Sequence, residues 1–159
     1  MSRSDLPSHS CTIARAVAQV GDEWTLLIVR EMFLGTRRFD DFLRLTGMSS
    51  HLLSQRLKKL EAQEIIQRAP YSVRPPRHEY RLTEKGRDLW TLIIALKQWG
   101  DRWLNAEVSP VLIVHKTCGQ VVRPQMTCPD CGEPMDAHDA EARLSHPFEQ
   151  ERHTARRVP

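Results

Sequence analysis

MSSHLLSQRLKKLEA, residues 48–62, is the stretch on which the fold turns. Leu53, Leu57 and Leu60 recur at i, i+4 and i+7 and so share one side of a helix, with Leu52 flanking them. The other side carries His51, Gln55, Lys58 and Lys59. Ser49 precedes the apolar run and can cap the helix, its hydroxyl accepting from a free amide of the first turn. An apolar inner stripe opposite an amide-and-cation outer face suits the major groove of duplex DNA. Gln contacts adenine edges there, and Lys contacts guanine edges or phosphates. Taken alone, the stretch also describes an ordinary solvated helix face, so its surroundings decide.

Upstream, Ser10 is a cap candidate for a helix over Cys11 to Val20 that Gly21 ends. Asp22 caps a second helix, EWTLLIVREMFLG, with Trp24, Leu27, Ile28 and Phe33 as its buried candidates. A third, RRFDDFLRLTG, carries Phe39, Phe42, Leu43 and Leu45, and Gly47 breaks it two residues before the opening helix. Two short helices joined by a tight Gly turn make a helix-turn-helix. Downstream the period changes: Ile65–Tyr71 and His78–Thr83 read as antiparallel strands around SVRPPR, whose Pro75–Pro76 forces an extended tip. With Arg74 and Arg77 beside that tip, residues 72–78 read as a basic wing able to reach the DNA backbone or minor groove, in preference to a plain connector. Thr83 then opens one long helix to Leu104. Its stripe of Leu89, Leu92, Ile93, Leu96, Trp99 and Trp103, widened by Trp90, exceeds what a small domain needs to bury and is expected to dimerise alongside the first helix.

The charge distribution agrees. Across the 159 residues the net charge is only +3, but nine Lys/Arg face four Asp/Glu between Thr36 and His78, a local +5, and the remainder sums to −2. Basic excess gathered around one helix is what attraction to phosphates requires. With 40% hydrophobic and 27% charged residues the composition is that of a soluble globular protein, and no apolar run approaches a membrane span. MSRSDLPSHS has no apolar signal core, so a cytoplasmic location is expected, with no membrane partner and with reduced cysteines.

Cys11, GDEWTLLIVREMFLGTRRF (21–39), MSSHLLSQRLKKLE (48–61), VRPPRHEYRLTEKGRDL (73–89) and Trp99–Gly100 resemble the HxlR family of bacterial winged-helix regulators. The likeness covers about residues 11–104 in one collinear block, and PPRHEYRLTEKG after LSQRLKKLE is its most specific part. It implies a homodimeric transcription regulator with two winged helices on a palindromic operator, dimerising through the first and last helices. It also implies that Ser50, His51, Gln55, Lys58, Arg74 and Arg77 face DNA. Arg38 matches the first residue of the family's Arg-Phe pair at the third helix and is a phosphate-contact candidate, with Phe39 in the core. Several relatives of this kind use a cysteine near the start of the first helix as a redox switch. In the first turn of a helix Cys11 would favour a thiolate, although a small packed residue is the preferred reading because no second cysteine is evident nearby. The sequence identifies neither a small-molecule nor an oxidant effector.

The C-terminal part departs from the minimal family pattern. After a linker (105–110), VLIVHKTCGQVVRPQMTCPDCGEPM pairs His115-x2-Cys118 with Cys128-x2-Cys131, the spacing of a tetrahedral zinc site. Gly119 and Gly132 follow a cysteine in each pair, where positive φ makes a tight knuckle. His138 competes with His115 as fourth ligand. The expected architecture is thus mainly α with a small β-hairpin, a winged helix-turn-helix over 11–104 after an N-terminal arm (1–10). A small β-rich zinc-ribbon-like appendage (111–137) and a flexible tail (138–159) follow. A closed zinc site leaves no position for catalytic water. The main expectation is therefore a non-enzymatic DNA-binding regulator, probed against a winged-helix protein-interaction module and a thiol or zinc enzyme built on Cys128-Pro-Asp-Cys131.

Overall fold

The computed structural model describes residues 6–73, 76–104 and 108–156. Two compact units divide within one helix, the first running to Ala95 and the second from Leu96. After a 3-10 turn at Leu6–Ser8, the first unit runs α1 (Thr12–Val20), α2 (Glu23–Phe33), α3 (Phe39–Thr46) and α4 (Ser50–Ala62). It continues through β1 (Ile66–Val73), β2 (Pro76–Leu82) and α5 (Glu84–Asp88) into α6 (Trp90–Trp103).

The core forms where the leucine stripe of α4 meets α2 and α3. Leu53, Leu57 and Leu60 are buried with Val20, Ile28, Met32, Phe42, Met48, Ile65 and Ile66 in one cluster. Of the four residues expected to bury in α2, only Ile28 is fully inside; Trp24 packs partly buried against the cluster, and Leu27 and Phe33 are also half-buried. Thr25, Val29, Glu31 and Met32 take the inner positions. Glu31 tolerates this because Arg30 donates to its Oε1 at 2.6 Å and the Thr36 hydroxyl to its Oε2 at 3.2 Å. In α3, Leu45 is exposed while Phe42 is fully buried. Gly47 ends that helix at φ +69°, a turn the left-handed region supplies at no steric cost to glycine.

Three boundaries differ from expectation. Ser10 is not the side-chain cap of α1: Cys11 holds the N-cap position in extended backbone, and its amide donates to His9 Nδ1 at 3.1 Å. The strands lie closer to the tip, because Pro76 starts β2 opposite Val73, a strand's first residue being a place where proline needs no ladder amide. The expected single helix from Thr83 is two. The Leu89 amide bonds back three residues to the Gly86 carbonyl, tightening the turn, and Leu89 packs on the core before α6 begins.

The base of the hairpin is clamped by Thr83. Its hydroxyl lies 2.6 Å from the Glu64 carbonyl and 3.1 Å from that of Ile65, and it caps α5 by accepting from the Gly86 amide. Gly86 is buried so close to Ile65 that a Cβ would stand 2.0 Å from the carbonyl oxygen.

In the second unit, Lys97 ion-pairs with Asp101 at 2.5 Å and donates to Ser109 at 2.8 Å. The lysine, and then Ser109, hold the Asp101 carboxyl below its usual range. Instead of the expected strands, two isolated antiparallel bridges appear, Val114 with Val121 and Thr127 with Pro134. Pro134 has no amide to extend its ladder. The expected flexible tail contains a further helix, α7 (His146–Ala155), with Pro147 in its first turn.

Candidate nucleic-acid interface

α4 offers its outer face from a capped N-terminus. The Ser49 hydroxyl accepts from the Leu52 amide at 3.3 Å and keeps its own proton to donate outward. Ser49, Ser50, His51, Gln55 and Lys58 are all exposed. The Gln55 amide lies 2.9 Å from His51 Nε2, one turn away, so the two side chains are held together as a single polar surface. Lys59 departs from the expected outer face. Seven residues after Leu52, it lies on the helix flank, half-buried, and its ammonium donates to the Ala18 carbonyl in the last turn of α1 at 3.3 Å. A cation at a helix C-terminus is favoured by the dipole, and here it ties α1 to α4.

An ion pair that local sequence patterning does not reveal also joins α4 to α2. Arg56 Nε lies 3.1 Å from Asp22 Oδ1, both side chains largely buried. Asp22 also caps α2, accepting from the Thr25 amide at 3.0 Å and the Thr25 hydroxyl at 2.5 Å. One carboxylate thus locks the start of α2 to the middle of the candidate reading helix.

Arg77 is exposed on β2, paired with Ser72, whereas Arg74 lies outside the described residues. A register shift between Pro70 and Ser72 leaves Tyr71 out of the ladder. The guanidinium of Arg38, the N-cap residue of α3, lies 4.6 Å from that ring's centroid. Over thirty residues apart, the pair has no periodic signature, and Tyr71 escaped sequence reasoning for that reason. The Tyr80 amide donates to the Arg37 carbonyl at 2.8 Å, so the loop before α3 is tied to the hairpin as well.

Of the expected dimer stripe, Leu89 turns to the core and Ile93 is half-buried. Trp90, Leu92, Leu96, Trp99 and Trp103 remain 40–59% exposed. In the second unit His115 Nδ1 lies 3.3 Å from Cys118 Sγ, and the amides of Cys131 and then Asp130 hold the pKa of the Cys128 thiol below its ordinary value. Among the described residues no three His, Cys, Asp or Glu gather closely enough to hold a metal ion. Likewise no helix is long and apolar enough to cross a membrane.

A capped helix over a Gly turn, followed by a two-stranded hairpin, defines a winged helix-turn-helix. The family model described as HxlR-like helix-turn-helix matches residues 19–108, more than half of the chain, and the chain belongs to that family of transcriptional regulators. A relative in Mycobacterium tuberculosis strain H37Rv, described as an uncharacterized HTH-type transcriptional regulator, is 46% identical over 129 residues, covering 80% of this chain and 82% of the relative. The solved structure of PA1607, described as a candidate transcription factor, matches with a TM-score of 0.76 and 37% identity over 90% of this chain and 99% of that one. The redox regulator HypR in its oxidized form matches with a TM-score of 0.55 and 32% identity over 62% of this chain and all of that one. The first two likenesses are longer than the segment that the family model matches.

Proposed function

We propose that this regulator acts as a homodimer that represses by occupying a palindromic operator. The observation that carries the reading is the exposed His51–Gln55–Lys58 face on a helix whose inner leucines are wholly buried. Gln55 reads a base edge in the major groove, Lys58 and Ser50 meet phosphate or base at its rim, and Arg77 of the wing contacts the backbone. Arg38, stacked on Tyr71, supplies a further phosphate contact between the helix-turn-helix and the wing.

Dimerisation is supported by Leu92, Leu96, Trp99 and Trp103, which follow i, i+4, i+7 and i+11 along α6 and expose 40%, 46%, 56% and 59% of their surface. On α1, Ile13 and Val17 are also exposed, at 71% and 49%. Aromatic and aliphatic side chains in such a stripe gain most by meeting a second copy, and a two-fold dimer reads a two-fold site. Simple occupancy of a promoter requires no additional contact surface, which favours repression.

Selection of bound duplexes from genomic fragments tests the proposal. An inverted repeat should emerge, Gln55→Ala should relax preference at one position of each half-site, and Trp99→Glu should yield monomers that bind poorly. Recovery of no sequence above background by a folded dimer would favour the interaction-module reading instead.

A further inference from the structure

The two short hairpins of the second unit are copies of one turn. In the first, the His115 amide donates to the Gln120 carbonyl at 2.9 Å, the Gly119 amide to the His115 carbonyl at 2.8 Å, and the Val122 amide to the Ile113 carbonyl at 2.8 Å. In the second, Cys128 donates to Glu133 at 2.9 Å, Gly132 to Cys128 at 2.9 Å, and Met135 to Met126 at 2.8 Å. Every partner in the second turn lies thirteen residues after its counterpart in the first, as do the bridge residues Val114 and Thr127, Val121 and Pro134. The closing glycines share the left-handed conformation, at φ +72° for Gly119 and +76° for Gly132. The register therefore sets His115 in the position of Cys128 and Cys118 in that of Cys131.

We propose that these matched turns are the two halves of one structural zinc site, with His115, Cys118, Cys128 and Cys131 as its ligands. Each half holds its donors at the ends of a tight turn, with His115 Nδ1 lying 3.3 Å from Cys118 Sγ in the first. Three thiolates and one imidazole are a borderline-soft set suited to tetrahedral zinc. The thirteen-residue register also selects between the two candidate histidines. His138 lies outside both turns, its amide donating to Asp136 Oδ1 at 2.7 Å, and it has no counterpart in the repeat.

Packing gives a bound ion a structural role to fill. Among the described residues from Val108 to Arg156 none is buried, and Leu112, Val114, Val121, Met126 and Leu144 are exposed. A segment of this size without a hydrophobic core usually depends on a metal, a disulfide or a partner. Among the described residues no three donors gather, so the site requires the two turns to approach each other, and zinc binding is expected to be coupled to ordering of the segment.

The test uses the full-length chain, purified reduced and stripped of metal, titrated with cobalt(II) and then zinc. One cobalt per chain should give the intense visible absorption of a tetrahedral thiolate site, and zinc should erase it. Cys118→Ser, Cys128→Ser and His115→Ala should each lose or strongly alter that spectrum, whereas His138→Ala should keep it. The helical circular dichroism of each variant, dominated by the first unit, controls for folding. Amide exchange over residues 111–135 should slow when zinc is added. Absence of the cobalt–thiolate spectrum in the wild type would overturn the site, as would a Cys128–Cys131 disulfide that re-forms in preference to metal uptake. An unaltered spectrum in His115→Ala would overturn the ligand set. None of these readouts depends on DNA affinity, so the site and the operator reading stand or fall separately.

Discussion

Up to Ile94 the chain builds its shape by burying apolar side chains, while the hairpins beyond Pro110 have almost nothing to bury. Phe42, Ile28, Leu53 and Leu60 reach zero exposure in the first unit, whereas Val111, Ile113 and Met135 in the second are only half-buried. Both regions nevertheless carry well-formed turns closed by left-handed glycines, Gly47 in one and Gly119 and Gly132 in the other. A turn can be specified locally by a glycine and a few backbone hydrogen bonds, but independent stability needs either buried area or a cross-link. The first unit has the former, and the proposed zinc supplies the latter.

The contrast can be broken most forcefully with an apolar truncation on each side. Leu57→Ala should cost about 3 kcal/mol or more in a denaturant titration of the first unit. Met135→Ala in the second should cost less than about 1 kcal/mol in metal-free protein, since little contact is lost there. Equal losses would show that the second unit has a core of its own.

Gly86→Ala is a narrower probe. Its Cβ would meet the Ile65 carbonyl, so α5 must move away from the base of the wing. About 2 kcal/mol of stability should be lost, with wing protection in amide exchange falling before that of α2. Asp22→Ala follows at about 1–2 kcal/mol, because it removes the cap of α2 and leaves Arg56 without its carboxylate. Thermal melts should register that loss, and Asp22→Asn, which keeps a capping oxygen, should recover part of it. Smallest is a gain. Glu64 occupies φ +56°, and Glu64→Gly should stabilise the α4–β1 turn by up to about 1 kcal/mol, visible as a slightly raised melting temperature.

The helix-turn-helix was legible in the sequence because its signals are local and periodic. Leucines at i, i+4 and i+7, Ser49 as cap, and Gly47 as breaker each act within one or two turns of chain. The partition of the outer face was less legible. Lys58 and Lys59 are chemically alike and adjacent, yet a step of 100° around the helix sends one to solvent and the other to the end of α1. Arg56–Asp22 and Arg38–Tyr71 were hidden because they join segments that only tertiary packing brings together. Division of the last helix at Leu89 was hidden for a related reason. The apolar period runs through it without a break, and the turn depends on Gly86 fitting against Ile65. In the second unit, Gly119 and Gly132 take the positive φ that their place after cysteine suggested, but VLIV and QVV form no strands. Alternating apolar residues make a strand only where a neighbour is available to extend the ladder.

If the exposed face of α4 holds DNA, the salt dependence of binding to the selected duplex tests it most directly. Anisotropy titrations over a range of salt concentrations should give log K falling steeply and linearly with log salt. Lys58→Ala should reduce the magnitude of that slope by about one for each protomer bound, while Lys59→Ala, whose ammonium is engaged on α1, should leave it nearly unchanged. Affinity that is indifferent to salt, or a slope that responds to Lys59 and not to Lys58, would contradict the assignment of this face to DNA.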